Sequence, residues 1–235
     1  DLRINIYVHR DRARVSLELA GESLHRRGYR APGAPAPLKE NLAAGILLLA
    51  DWPTIAKEGG TLLDPLCGSG TLLVEGALMA ADIAPGLLRD YFGFLAWPGH
   101  RPELWESLLA EARERRAAGI ERLPAIAGFD RDPRAIQAAL ASVRQLGLDD
   151  CVRVEEGELA NATPGELPPG LVVTNPPYGE RLEAVEGLET LYRQLGTVLD
   201  PVRTRYQGAP ALAFFFAAHL ADARGADVVF IPARP

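Results

Sequence analysis

Two periodicities divide the chain. In the first twenty residues apolar and polar positions alternate, "RINIYVH" and "RVSLELAG" flanking the charged turn "HRDR". That period-2 pattern predicts a β-hairpin. "RAPGAPAPL" then breaks every pattern and predicts a proline-rich connector over residues 31–37. "KENLAAGILLLADW" opens polar, becomes apolar and reads as a helix. From there strand-like and helix-like stretches alternate. Strand patterns fall at 60–64, 123–130, 151–156, 171–175 and 211–216, and helical ones at 70–84, 133–147 and around 187–200. Alternating β and α segments predict an α/β fold built on a parallel sheet with helices on both faces. In such sheets ligands sit at the carboxyl ends of the strands, so the chemistry is sought there.

About forty residues, beginning "GLLRDYFGFLAWPGH", are inserted between the helix at 70–84 and the strand at 123–130. The second half of the insertion predicts an amphipathic helix, with Leu104, Trp105, Leu108 and Leu109 as its apolar stripe. Its first half carries Phe92, Phe94 and Trp97, for which core packing is favoured over base stacking.

Composition narrows the classes. The 235 residues are 48% hydrophobic, enough to bury a substantial core in one α/β domain with a small appendage. The formal net charge of −6 supplies no global positive field for nucleic acid. The charge is uneven, however. Residues 1–40 hold eight Lys and Arg against five Asp and Glu, a net +3, and the remainder is −9. A solvated face and a surface for an anionic partner are both open readings. The two cysteines, Cys67 and Cys151, stand far apart in no ligand-like spacing. We expect no disulfide framework, no metal and a reducing, cytoplasmic setting. No stretch is long and apolar enough to span a membrane, and no membrane partner is expected. The chain starts without Met in what reads as the middle of a domain, so we expect a piece of a longer protein.

Four strand exits carry candidate chemistry. The first is "LLDPLCGSGTLLVEG": Asp64, then a Gly68-Ser69-Gly70 turn, then a helix. Glycines let a ligand approach the backbone, and a helix N-terminus offers unpaired N–H groups. The spacing is neither a Walker loop nor the G-x-G-x-x-G dinucleotide fingerprint, which disfavours a nicotinamide oxidoreductase. The second exit, "AGFDRDP", ends on Asp130, placed to accept from ribose hydroxyls. Asp132 is favoured as the cap of the helix opening at Pro133, with ribose as its alternative role. The third exit, "VRVEEGELANA", offers Glu158 as an acceptor for an exocyclic amino group such as that of adenine, or as a solvated loop acid.

The fourth exit is "LVVTNPPYGERL". Asn175 offers a carbonyl acceptor. Pro176 and Pro177 have no N–H, so their carbonyls face outward without a competing donor. Two acceptors on one amino nitrogen fix its hydrogens and direct its lone pair, and Tyr178 supplies a ring on which a base can lie. This constellation fits methyl transfer to an amino nitrogen through alignment and acceptor electrostatics.

Together "LAGESLHRRGYR", "APLKENLAAGIL", "DPLCGSGTLLVEGALMAADIAPGL" and "NPPYGERL" resemble the class I S-adenosyl-L-methionine (SAM)-dependent RNA methyltransferases that carry a THUMP domain. The resemblance is nearest to the RlmL type, which methylates guanine N2 of 23S ribosomal RNA. It runs from about residue 2 to 200. It implies a Rossmann-like, seven-stranded, mostly parallel sheet whose last strand is antiparallel. It implies residues 1–37 as a hairpin and linker following a THUMP domain, and 38–235 as the methyltransferase domain. The implied SAM site comprises Asp64, Cys67, Gly68 and Gly70, then Asp130 and Glu158, with Lys39, Glu40 and Asn41 near the methionine end. Asn175, Pro176, Pro177 and Tyr178 match the catalytic motif, and Asn175 also borders the cofactor. Arg181 is a candidate for substrate anchoring or a structural ion pair.

Two departures stand out. The adenine-contacting acid of the family is usually Asp, one methylene shorter than Glu158. After about residue 205 the sequence leaves the family pattern, and the domain's closing hairpin is not assigned. DNA adenine-N6 or cytosine-N4 methylation and protein-glutamine methylation would use the same Asn-Pro-Pro-Tyr corner and stay as alternatives. A non-enzymatic RNA-binding scaffold ranks last, because Asp64, Asp130 and Asn175 are all present.

Overall fold

In a computed structural model, residues 3–30, 38–162, 168, 170–176 and 194–195 are described. The chain opens with the expected hairpin, β1 (Arg3–His9) and β2 (Arg12–Glu18), paired antiparallel from Arg3↔Glu18 to His9↔Arg12. Its two turn residues, Arg10 and Asp11, both adopt positive φ (46° and 59°), the twist that joins two strands across a two-residue loop.

Among the described residues four parallel strands form the central sheet: β3 (Leu62–Asp64), β4 (Ile126–Asp130), β5 (Val152–Glu156) and β6 (Leu171–Val172), in the order β5-β4-β3-β6. Leu62 is flanked by Ile126 on one side and Leu171 on the other, and these side chains are buried. The chain steps from β3 outward through β4 to β5, then returns to pair β6 with the opposite edge of β3. That reversal makes the β3/β6 border a topological switch point, where the carboxyl ends of two strands diverge and leave a crevice. The strand expected at 211–216, the helix near 187–200 and the closing antiparallel strand lie outside the described residues.

The helices form where the apolar period predicts them, with two differences. The helix beginning "KENLAAGIL" is α1 (Glu40–Leu49). Asp51 then turns left-handed (φ 57°) and a second helix follows, α2 (Trp52–Lys57), with Pro53 in its first turn. α3 (Thr71–Ala80) is apolar nearly all round and buried from Thr71 to Leu78. It packs on β3 and β4 and carries α1 and α2 on its outer side. Gly76 lets this packing close up: a side chain there would collide with Leu62, and its carbonyl accepts from the buried Trp52 indole at 2.9 Å. α5 (Pro133–Gln145) packs against β4 and β5.

The second difference concerns the insertion. Its long helix, α4 (Pro102–Ile120), is present, but the expected stripe is not its buried face: Leu104 and Leu108 are exposed. The helix is held by its far end instead. Gly119 lies directly against the Ala81 backbone, Arg115 pairs with Asp82 at 2.8 Å, and Arg116 donates to the Leu146 carbonyl at 2.6 Å. Trp105 and Leu109 of the stripe are half-buried, Trp105 lying edge-on to Phe92 and Phe94 with centroids 5.3 and 5.0 Å apart. Phe92 and Phe94 thus pack internally, whereas Trp97 is 42% exposed.

Residues 19–30 lie on the α/β body rather than apart from it. Arg89 of the insertion donates to four carbonyls, those of Ala20, Glu22, Ser23 and Arg26, at 3.1–3.2 Å. Gly93 sits so close to this segment that a Cβ there would meet the Glu18 carbonyl at 2.8 Å.

Candidate functional site

The register brings the strand exits into one row. Asp64 pairs with Gly128, so β4 runs two residues further, to Asp130, which pairs with Glu156 of β5. On the other side Val173 donates to the Leu63 carbonyl at 2.9 Å, which carries Thr174 and Asn175 past the end of β3.

The glycine turn is tied to the second exit. Gly68 N–H donates to Asp130 Oδ2 at 2.8 Å, and Asp132 N–H donates to Asp130 Oδ1 at 2.9 Å. One carboxylate thus holds the turn after β3 and the turn after β4 together, and each oxygen keeps a lone pair for a further donor. Asp132 does what its position before Pro133 predicts: its Oδ1 accepts from Arg134 N–H at 2.9 Å and caps α5.

The two glycines of the turn serve different ends. Both have positive φ, 53° at Gly68 and 76° at Gly70. A Cβ on Gly70 would meet Ala139 Cβ at 2.9 Å, so its smallness lets α3 and α5 approach. A Cβ on Gly68 would meet nothing within 4 Å. Its bareness answers no packing need of the described residues, and it leaves an open place beside Asp130 at the N-terminal end of α3.

Asp64 is buried at the base of the row. Desolvation pushes its carboxyl up to about 7, against the opposing pull of the Thr174 hydroxyl and the Leu66 N–H, while nearby Asp130 raises it further. Cys67 is buried too. Burial first, then the charges of Asp64 and Asp130, raise its thiol. Its side chain packs against Gly128, where a Cβ would meet its Sγ at 3.2 Å, and the thiol donates to the Gly68 carbonyl of the turn at 3.7 Å. Its N–H donates to the Phe129 carbonyl at 2.8 Å.

At the fourth exit Asn175 Oδ1 is buried and has no hydrogen-bond partner among the described residues. An acceptor in that state costs stability unless a donor arrives. It stands one residue beyond Thr174, which faces Asp64. Pro176 is buried beside it, while Pro177, Tyr178 and Arg181 lie outside the described residues.

The remaining candidates are spread around this row. Lys39 is the N-cap residue of α1, and both it and Asn41 are exposed. Glu40 is buried and paired with Arg30 at 3.6 Å. Glu158 is exposed just past β5, at the start of a short 3-10 turn (Leu159–Asn161).

Arg30 itself went unread as a site residue. It donates to the Leu38 carbonyl at 2.8 Å and to Thr71 Oγ1 at 3.0 Å, so it ties the start of α1 to the start of α3. One turn along α3, Glu75 accepts from Tyr29 at 3.0 Å and from Arg27 at 3.4 Å. Burial raises the Glu75 carboxyl, and Arg27 and Tyr29 pull it back. The "RRGYR" segment therefore clamps the two helices whose N-terminal ends border the row. The signal available in the sequence was a pair of acids, Glu40 and Glu75, on otherwise apolar helices. Two cavities, of about 160 and about 380 Å³, lie near this clamp and the Asp82–Pro85 turn, away from the strand exits.

An α/β sheet with a bare glycine turn bound to the second-strand carboxylate, and a buried amide oxygen without a partner among the described residues at the fourth strand, defines a domain of the methyltransferase class. Comparison with known proteins agrees. A family model described as "RMKL-like, methyltransferase domain" matches residues 27–223, and the chain belongs to that family. It is 58% identical over 200 residues to the ribosomal RNA large subunit methyltransferase K/L of Methylococcus capsulatus, covering 85% of this chain and 27% of that protein. The protein of the same name from Allochromatium vinosum is 54% identical over 226 residues, covering 96% of this chain and 30% of its own length. The chain thus spans under a third of the curated relatives it matches. Among solved structures it resembles SMU.472, assigned as a methyltransferase and solved with SAH (TM-score 0.77, 35% identity, 92% of this chain and 52% of that one). It also resembles a predicted N6-adenine-specific DNA methylase from Listeria monocytogenes (TM-score 0.77, 32% identity, 92% of this chain and 53% of that one).

Proposed function

We propose that this chain is a SAM-dependent methyltransferase domain acting on an exocyclic amino group, guanine N2 of 23S ribosomal RNA. The observation that carries the reading is the buried Oδ1 of Asn175 at the switch point, which has no partner among the described residues. A buried acceptor kept without a partner is suited to a donor that comes and goes. When bound, SAM would supply an electrophilic methyl group to the amino nitrogen, with the thioether as leaving group and one N–H proton released to water. The residues present suit such a ligand. Asp130 retains acceptor capacity for ribose hydroxyls, and the open place at Gly68 admits a ligand close to backbone. Asp64, Cys67 and Gly70 shape the turn, Glu158 flanks the adenine side, and Lys39 and Asn41 flank the methionine end. Glu40 serves that end through Arg30.

Asn175 Oδ1 and the Pro176 carbonyl each accept one N–H of the target amino group. The two bonds orient its lone pair without ionising it, and the chain contributes no covalent intermediate. Pro177 and Tyr178 complete the corner, with Tyr178 stacking on a base turned out of its helix and Arg181 anchoring the substrate. The same reading includes a seven-stranded sheet, a hairpin and linker at 1–37 before the methyltransferase domain at 38–235, a cytoplasmic setting, and no metal or membrane partner. The names of the relatives from Methylococcus capsulatus and Allochromatium vinosum support ribosomal RNA as substrate. The Listeria monocytogenes structure favours a second reading, adenine N6 of DNA.

The test is a transfer assay with methyl-labelled SAM, offering unmodified 23S ribosomal RNA, duplex DNA and a protein fraction in parallel. Digestion and mass analysis should find N2-methylguanine from RNA. Label on DNA adenine or on protein glutamine would overturn the substrate, and no transfer to any of the three would overturn the assignment of the corner.

A further inference from the structure

We propose that the polar face of the β1–β2 hairpin is a docking ribbon for an unpaired stretch of RNA. This deepens the substrate reading above and rests on RNA being the substrate. The pairing register sorts the hairpin's side chains into two faces. Ile4, Ile6 and Val8 share one face with Ala13, Val15 and Leu17, while Arg3, Tyr7, His9, Arg12 and Arg14 share the other with Asn5, Ser16 and one acid, Glu18.

The arginines of the two regions behave differently. Between Leu19 and Arg30 the arginines are engaged, Arg26 with Glu22, Arg27 with Glu75 and Arg30 with Glu40 and Thr71, and Arg89 binds four carbonyls of the same segment. On the hairpin, Arg3, Arg10, Arg12 and Arg14 have no ion pair or hydrogen bond among the described residues. Four guanidinium groups thus stand on a short ribbon whose acids are Asp11 and Glu18, neither of them ion-paired to an arginine among the described residues, in a chain that is −9 beyond residue 40. The complementary partner is a polyanion.

The aromatic pair narrows the polyanion. Tyr7 and His9 lie on the arginine face with ring centroids 6.3 Å apart and planes 19° from parallel. Rings that face solvent between cations form the platform on which unstacked bases lie, with the arginines on the flanking phosphates. Arg12 and Arg14 leave the same face of one strand about 7 Å apart, and the tight turn at Arg10 and Asp11 fixes their spacing. The hairpin continues into residues 19–30, which Arg89 and the Arg27–Arg30 clamp fasten beside the starts of α1 and α3. RNA held on the ribbon is thus held on a segment bonded to the elements that border the strand exits.

The test titrates a fluorescein-labelled transcript of 23S ribosomal RNA with the 235-residue chain across about 50–200 mM salt. Arg12→Ala/Arg14→Ala should weaken binding roughly tenfold and flatten the log–log salt dependence by about 2, one for each phosphate contact. Tyr7→Ala should weaken binding with little change in that slope. Arg26→Ala removes the same kind of charge from an arginine already paired, and should stay within about twofold of the parent. Arg12→Lys/Arg14→Lys keeps both charges and should retain the slope, which separates phosphate contact from loss of the hairpin. Unchanged affinity in Arg12→Ala/Arg14→Ala, or an equal loss for every arginine removed, would overturn the surface. Methyl transfer measured on the same samples separates the two ideas. RNA binding that depends on the hairpin without any transfer would remove the reading of the strand exits and support the ribbon. Transfer at parental affinity in the double alanine variant would remove the ribbon alone.

Discussion

Asp130 and Asp132 stand two residues apart and do different work. Asp130 binds the Gly68 and Asp132 amides, while Asp132 caps α5. Asp130→Ala should weaken SAM binding by about ten- to a hundredfold, the worth of one or two charge-assisted hydrogen bonds. Asp132→Ala should instead lower stability by about 1 kcal/mol and leave SAM affinity within about twofold. Calorimetric titration beside urea unfolding reads both, and a reversed pattern would move the ribose role to Asp132. Asp64 adds a pH signature. Its folded carboxyl titrates near 7, well above that of an exposed Asp. At pH below about 4 both folded and unfolded chains hold the proton and no penalty exists. As pH rises the unfolded chain loses its proton first, so stability falls, and the loss is complete above the folded value of about 7. Relative to Asp64→Asn, the parent without cofactor should therefore lose stability between about pH 4 and 7 and run parallel above, a difference of order 4 kcal/mol in full. Urea midpoints across that range check it, and parallel curves throughout would contradict it.

At the scale of elements, the glycine turn makes a sharper distinction. Gly70→Ala sets a methyl against Ala139 on a left-handed backbone, and should cost about 1–3 kcal/mol of stability. Gly68→Ala carries the backbone strain alone, about 1 kcal/mol, but places its methyl in the open ground by Asp130. It should lose SAM affinity out of proportion to stability. Equal proportions in the two variants, by thermal unfolding and SAM titration, would show that Gly68 is only a turn residue. These elements were legible because their signals are local: Pro133 after Asp132, glycines after an apolar strand, and an Asn-Pro step closing "LVVT". α2 was missed although Asp51 and Pro53 bracket its start, because the apolar run before it swamps a six-residue helix. α4 misled because Leu104 and Leu108 carry the right period, while the helix is held at its other end by Gly119, Arg115 and Arg116.

Long-range pairing was the least legible part of the whole molecule. Nothing near Tyr29 in the sequence announces Glu75, 46 positions away, and the basic N-terminal stretch stays open between a solvated face and an anionic-partner surface until α1 and α3 bring Glu40 and Glu75 to "RRGYR". Tyr29→Phe should cost about 1–3 kcal/mol, since a buried carboxylate then loses its hydroxyl donor, and a change under about 0.5 kcal/mol in urea unfolding would deny the clamp that role. The molecule so assembled sets a positively charged hairpin, a clamp and a row of strand exits along one chain. At the end of that row stands Asn175, which we propose aligns the amino group. The most direct measurement compares Asn175→Ala with the parent for SAM dissociation constant and single-turnover methyl transfer to 23S ribosomal RNA. The transfer rate should fall by about a hundredfold or more with SAM affinity changed less than about threefold. Equal losses in both, or a transfer rate that persists, would contradict it.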